Sequence, residues 1–341
     1  MDADGSMTMI QAWAAKAPKQ RLEPFDYDPG PLKPDEVEVA VETCGICHSD
    51  LSVIDNEWGI SNYPVVPGHE VVGRIVALGS EARGLKVGQR VGVGWACGSC
   101  LHCEQCLSGN QNLCPESMTT ILGHRGGFAD RVRAQWPWAI PIPDDLDAKE
   151  AGPLLCGGVT VFAPLYVYGI KATQRVGVVG IGGLGHLALK FAAAWGCEVT
   201  AFTSTEGKAN EARSFGAHHV VNSRDSNQLA AIAATLDLVL VTVPVPLDWK
   251  AMIASLRPKG RLHFLGAVLE PVPISVMDLI TKQRDVSGTP SGPPVTIAKM
   301  LEFAARHHIL PQNEHFPILK VNEALDHLRA GKARYRIVLD M

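Results

Sequence analysis

The chain has 341 residues, 46% of them hydrophobic, with 33 glycines and 23 prolines; this is the composition of a soluble globular protein too long for one comfortable core and suited to two domains. Its 31 basic and 35 acidic residues leave a net charge of −4, and no Lys/Arg run is dense enough to follow a phosphate backbone, which disfavours nucleic acid as a partner. The most apolar stretch, Val176 to Val199, is broken by six glycines together with His186 and Lys190, so it does not read as a membrane span.

The chain opens on a polar extension, Met1 to Ser6, ahead of a first strand-like run at 9–14. From there to about residue 157, short β-branched runs such as 37–41 and 71–76 alternate with Gly/Pro punctuation, which predicts short strands and turns in a mostly β domain. From about residue 174 the rhythm changes. Strands are predicted at 175–179, 198–202, 219–222, 237–243 and 261–265, with helices at 185–195, 208–215, 228–235 and 249–256 between them. Such alternation specifies a doubly wound parallel sheet of Rossmann type. A helix over 295–307 and a last strand over 335–339 are placed to rejoin the first domain.

Four cysteines, Cys100, Cys103, Cys106 and Cys114, stand in the pattern C-x2-C-x2-C-x7-C. Thiolates this close in sequence can close a tetrahedron around Zn²⁺, which predicts a structural zinc lobe. Disulfides fit the count of nine cysteines badly, because nine is odd. With no charged-then-apolar leader, the count points to a reducing cytoplasm. An extracellular disulfide protein is the competing reading, and titration of free thiols separates the two. Cys44, Cys97 and Cys197 read as thiols unconnected to metal, Cys44 despite its C-x2-C spacing from Cys47.

Gly180-Ile-Gly182-Gly183-Leu184-Gly185 follows the strand at 175–179 and opens the next helix, where a G-x-G-x-x-G motif has its mechanics. Glycine permits the tight turn, the backbone can approach a pyrophosphate, and the helix N-terminus offers positive dipole to it. A closely packed turn that binds nothing is the other reading. An NAD-preferring domain places an acid at the end of the second strand; here Thr203-Ser204-Thr205 stand there, with Glu206 next and Lys208 shortly after. Hydroxyls and a lysine suit a 2′-phosphate that an acid would repel, so NADP(H) is preferred to NAD(H), against the alternative that Lys208 belongs to a solvated helix start.

Cys44-Gly-Ile-Cys47-His48-Ser49-Asp50, Pro67-Gly68-His69-Glu70 and Leu154-Leu-Cys156-Gly-Gly-Val-Thr160 bring further thiols and an imidazole from separated segments. In order along the chain, G-I-C-H-S-D, Y-P-x-V-P-G-H-E, the four-cysteine lobe, P-L-L-C-G-G-V-T and V-G-I-G-G-L-G-H-L-A resemble the zinc-dependent medium-chain alcohol dehydrogenases of cinnamyl alcohol dehydrogenase type. The resemblance runs from about Met9 to the end. It implies a GroES-like catalytic domain at 7–157 and 290–341 and a Rossmann domain at 158–289. It also implies two Zn²⁺ per chain and a homodimer joined through the Rossmann domains.

The resemblance further implies Cys47, His69 and Cys156 as catalytic zinc ligands, a Cys₂His set that leaves one position open, with Glu70 able to approach the metal transiently. Asp50 is then placed to orient His69, Ser49 to pass the hydroxyl proton, and His48 to meet the cofactor unless it is a solvated surface histidine. Thr160, Val243 and Gly266 join the glycine loop as cofactor-binding positions. Two departures stand out. The family's relay histidine is replaced by Ser52, leaving water, Ser52 or His48 for the last step. The family's G-S-x-I-G-S becomes Ser287-Gly-Thr-Pro290-Ser-Gly-Pro, so bulk against the substrate is reduced at Pro290. Trp58 and Trp95 read either as apolar pocket walls or as core packing. The implied activity is reduction of aromatic or medium-chain aldehydes. A polyol or secondary-alcohol dehydrogenase and a non-catalytic zinc and nucleotide scaffold are the alternatives.

Overall fold

A computed structural model of the chain describes residues 9–341; the extension at Met1 to Ser6 lies outside the described residues, as does the side chain of Glu206. The chain divides into two compact units, one reaching Cys156 and resuming over Gly292–Met341, the other spanning Gly157–Ser291.

In the first unit the alternation at Val37, Val39 and Val41 belongs to a longer strand, Glu36–Ile46, the centre of a seven-stranded sheet. One edge of this strand pairs with Val71–Leu78, and register shifts at Glu38/Val39 and Val41/Thr43 bend it there. The other edge is shared: Arg131–Gln135 takes residues 36–40 and Arg336–Asp340 takes residues 43–46. Val37, Val39, Val71, Ile75, Val91, Val93, Ile337 and Leu339 form a core with almost no exposure. The antiparallel pairing of Cys44 with Val71 has a direct consequence for the site. Cys47, just beyond one strand, and His69 and Glu70, just ahead of the other, leave the sheet at the same end.

In the second unit six strands, Arg175–Val179, Glu198–Thr203, His219–Asn222, Leu236–Val241, Leu256–Phe264 and Asp285–Gly288, form one sheet; counted in chain order they lie 3-2-1-4-5-6 across it. All pairings are parallel. Val176, Val178, Val199, Ala201, Leu238 and Leu240 are fully buried, as expected of central strands covered on both faces. The helix expected over 228–235 is Ser226–Ala231, because Asp225 accepts from the backbone N–H groups of Asn227 and Gln228 and starts the helix earlier. The helix expected over 208–215 is Ala209–Ser214, preceded by a 3₁₀ turn at Glu206–Lys208. Among the described residues no helix is long and apolar enough to cross a membrane.

Candidate active site

Cys47, His69, Glu70 and Cys156 converge in the first unit with one potential ligand atom each, all within 4.8 Å of one another. Cys47 and His69 arrive from the paired strands described above. Cys156 follows the 3₁₀ turn Gly152–Leu155, which packs against them at a place where side chains would not fit. A Cβ on Gly152 would stand 2.7 Å from the Glu70 carbonyl oxygen, and one on Gly45 2.0 Å from Glu70 Oε2.

Asp50 organises this cluster from the helix His48–Ile54. Its fully buried carboxylate accepts from Cys47 N at 2.9 Å, Gly68 N at 2.9 Å and His69 Nδ1 at 2.9 Å. With Nδ1 committed to Asp50, the other ring nitrogen, Nε2, points elsewhere; it is buried and has no hydrogen-bond partner. Cys47 Sγ and Cys156 Sγ lie 4.0 Å apart. Two sulfurs sharing one tetrahedral metal stand about 3.8 Å apart. An orphaned imidazole nitrogen beside two thiols at that separation fits a zinc site of Cys₂His type.

The electrostatics favour charge separation. The contact between the two sulfurs holds the pKa of Cys47 well below the usual thiol value and pushes that of Cys156 up in turn. Burial raises Glu70 to about 7 although the Arg336 guanidinium beside it acts in the opposite direction. Arg336 pairs with Glu70 Oε1 and also donates to the Ile46 carbonyl at 3.2 Å, leaving Glu70 Oε2 buried without a partner. Arg336 was not legible as a site residue: it stands in the final strand and meets Glu70 only through the sheet.

Ser49 is half-buried, 3.8 Å from Cys47 Sγ, and His48 is exposed. Ser52 is buried and donates to the Glu57 carboxylate at 2.7 Å, a partner that sequence reading missed. Trp95 stands edge-on to His69 with ring centroids 5.1 Å apart, and Trp58 edge-on to Trp95 at 6.0 Å. Both tryptophans pack on a small cluster of Val53, Val65 and Ile121, with Tyr63 and Leu122. Both tryptophans thus pack against the core here, and Trp95 also lies beside His69; Ile121 and Leu122 carried no sequence signal.

The second cysteine cluster, Cys100, Cys103, Cys106 and Cys114, also gathers its four sulfurs within 4.8 Å. Backbone N–H groups donate to them, from Cys103 to Cys100 Sγ at 3.3 Å and from Cys100 and Glu116 to Cys114 Sγ at 3.4 and 3.3 Å. Such donors stabilise thiolates, and those from His102 and Cys103 help lower Cys100 to about 6. All nine cysteines are free. Cys44 is buried against Gly68 and Gly127, outside both clusters, and its pKa is raised by burial. Cys97 and Cys197 are likewise buried.

In the second unit the glycine loop leaves the strand Arg175–Val179 through Gly180, whose φ of 92° suits glycine. A Cβ on Gly185 would stand 1.8 Å from the Gly180 carbonyl, whereas one on Gly182 would meet nothing within 4 Å. The backbone at Gly182 is therefore open to a phosphate, and the loop fits a dinucleotide. Gly183 and Leu184 complete the loop and Thr160 lies on the helix Gly157–Val167, while Val243 and Gly266 follow the fourth and fifth strands. Thr203 ends the second strand, its hydroxyl accepting from Thr205 N at 3.1 Å, and Ser204 and Thr205 are exposed. Lys208 Nζ donates to the Ile181 carbonyl at 2.8 Å, so it reaches back to the glycine loop. Pro290 lies just past the sixth strand and is exposed.

Known families share this arrangement. Residues 33–144 match the alcohol dehydrogenase GroES-like domain and residues 183–306 the zinc-binding dehydrogenase family. The chain is 51% identical to "Aldehyde reductase AdhA" of Synechocystis sp., over 97% of this chain and 98% of that one. It is 38% identical to a vomilenine reductase of Rauvolfia serpentina, over 96% and 94%. Among solved structures, cinnamyl alcohol dehydrogenase SbCAD4 of Sorghum bicolor superposes with a TM-score of 0.93 at 37% identity, covering 98% of both chains. A Helicobacter pylori cinnamyl alcohol dehydrogenase complexed with NADP(H) gives 0.89 at 29% identity, again over 98% of both.

Proposed function

The chain belongs to the zinc-dependent medium-chain alcohol dehydrogenases, of cinnamyl alcohol dehydrogenase type, and is an oxidoreductase of alcohols and aldehydes; from that premise we propose that it reduces aromatic and medium-chain aldehydes with NADPH. The observation that carries the chemistry is the orphaned His69 Nε2 facing the Cys47 and Cys156 sulfurs. Zinc held by these three residues would polarise the substrate oxygen and lower the pKa of the alcohol. A second zinc in the four-cysteine lobe would serve the fold.

This chain's own residues do the remaining work. Asp50 holds the His69 ring, and Glu70, tethered by Arg336, keeps one oxygen available beside the cluster. Ser49 relays the proton, accepting that of the alcohol hydroxyl as it gives up its own when an alcohol is oxidised, and running in reverse when an aldehyde is reduced. Ser52 lies three residues further along the same helix and is bonded to Glu57, which supports passage of the proton to the surface by that route. His48 meets the cofactor, and Trp58, Trp95 and Pro290 bear on the substrate.

NADP(H) is favoured by the absence of an acid at Thr203-Ser204-Thr205 and by Lys208 beside the glycine loop. The protein is cytoplasmic, in keeping with nine free cysteines. It is a homodimer built on the second unit. There the strand Asp285–Gly288 has a neighbour on one side only, and Leu269, Val276, Met277 and Ile280 are more than 60% exposed.

Initial rates of cinnamaldehyde reduction by the zinc-replete protein, with NADPH and NADH side by side, test this reading. Turnover favouring NADPH is expected. Equal or better rates with NADH overturn the cofactor assignment, and absence of turnover with either overturns the substrate class.

A further inference from the structure

One buried histidine takes no part in the chemistry above. His263 stands in the strand Leu256–Phe264 of the second unit and has no solvent exposure. Its Nδ1 lies 2.9 Å from Ser287 Oγ, and its Nε2 3.1 Å from Thr289 Oγ1. Ser287 is its register partner in the sixth strand, whereas Thr289 is just beyond that strand's last residue, Gly288. One ring therefore bonds a residue inside the edge strand and a residue past its end. Tyr168 covers the ring edge-on at 5.4 Å, and the Arg261 guanidinium lies 3.6 Å from the Tyr168 ring centre while pairing with Asp285 at 2.8 Å.

The sixth strand is four residues long and is paired on one side, with its ladder ending at Gly288. Gly288 has no side chain, and Pro290 has no N–H to donate. The hydroxyl of Thr289 is thus the first side-chain hold after the ladder. Burial, reinforced by the Arg261 charge, pushes His263 down to about 4, so the ring is neutral at working pH. A neutral imidazole donates through one nitrogen and accepts through the other, which suits two hydroxyls that can each do either.

We infer that His263 is a positioning residue for substrate selection: by holding Ser287 and Thr289 it sets the path of the backbone into Pro290. The inference rests on the proposed reading that Pro290 bears on the substrate, and it requires no contact between His263 and the substrate.

Thr289→Val is the main test, because it removes one anchor and leaves the buried histidine in place; Thr289→Ser is the conservative rescue and His263→Leu the matching change on the ring. Two readouts are combined: the ratio of kcat/KM for cinnamaldehyde to that for acetaldehyde, and amide hydrogen exchange over residues 287–292. The expected result is faster exchange in Thr289→Val and a ratio shifted by about five-fold, the equivalent of one net hydrogen bond. KM for NADPH stays unchanged, and Thr289→Ser behaves as wild type. Unchanged exchange in Thr289→Val overturns the anchor. Faster exchange with an unchanged ratio overturns the role in selection. If the wild type turns over neither aldehyde, the functional reading fails while the exchange data still decide whether His263 anchors the segment.

Discussion

The hydroxyl of Ser52 donates to the Glu57 carboxylate across 2.7 Å, joining a buried helical position to an exposed one. Of the candidates for the last proton step, this geometry favours Ser52 over His48. A serine cannot store a proton at neutral pH, so a carboxylate at the surface has to accept it. Replacing Glu57 with Gln is expected to slow alcohol oxidation about ten-fold near neutral pH, below the ~10²-fold of a well-positioned base because water reaches the exposed end of the chain. Ser52→Ala should give the same loss, and the double variant no more than either. Rates and pH profiles identical to wild type in both single variants would remove this pair from the relay.

Asp50 accepts three hydrogen bonds at the centre of the proposed zinc site, and Asn at this position preserves its shape without its charge. One of its two carboxylate oxygens becomes an amide that faces a donor, so either His69 and Gly68 N, which share Oδ1, or Cys47 N, on Oδ2, lose their acceptor. Loss of an outer partner of this kind costs about 10–100-fold in metal affinity. Asp50→Asn is accordingly expected to release one zinc of two during dialysis against a weak chelator. Protons compete in the same direction. Asp50 and Cys47 raise the pKa of His69 well above its ordinary value against the effect of burial, so metal binding must expel a proton and affinity falls as pH falls. Zinc content measured after dialysis at several pH values checks both expectations.

What could be read from the sequence and what could not divide along a physical line. The four-cysteine lobe and the glycine loop keep their chemistry within a few residues, so spacing alone conveys it. The ion pair of Arg336 with Glu70 depends on Arg336–Asp340 pairing with the end of Glu36–Ile46, a register that no local pattern announces. His263 was hidden for the same reason, since its partners lie 24 and 26 residues further along the chain, on and just beyond a neighbouring strand. The helix Ser226–Ala231 is a different case: its start is set by a local signal, the Asp225 side chain accepting from Asn227 and Gln228 N–H, which lies ahead of the 228–235 window.

His315 links the last strand to the segment ahead of Cys156, with Nδ1 3.0 Å from Asp340 and Nε2 3.2 Å from Glu150. Burial works against a charge on this ring, but the two carboxylates outweigh it and raise the pKa above the ordinary value. A raised folded-state pKa contributes stability that is complete below the unfolded value, near 6.5, and is lost as pH rises through the folded value. The stability gap between wild type and His315→Gln is therefore expected to be widest near pH 6 and to narrow on going to pH 8.5. Urea unfolding at the two pH values measures it, and a gap that widens with pH would show that the clasp is not held by the charged ring.

Cofactor choice can be reversed by small changes at the end of the second strand. Ser204 is exposed there, and an aspartate in its place would repel a 2′-phosphate while accepting hydrogen bonds from ribose hydroxyls. Ser204→Asp is expected to raise KM for NADPH strongly and to lower that for NADH, moving the preference across unity. Lys208 has a double attachment in this reading: its ammonium donates to the Ile181 carbonyl of the glycine loop and stands near the end of the strand whose hydroxyls would meet the phosphate. Lys208→Ala should weaken NADPH by about ten-fold, within the range of a charge-assisted hydrogen bond. It should weaken NADH less, because the lost contact with the loop is common to both cofactors and the lost charge is not. Binding titrations by nicotinamide fluorescence separate the two contributions: equal weakening of both cofactors would make Lys208 a brace for the glycine loop alone, and the preference for NADPH would then rest on Thr203, Ser204 and Thr205.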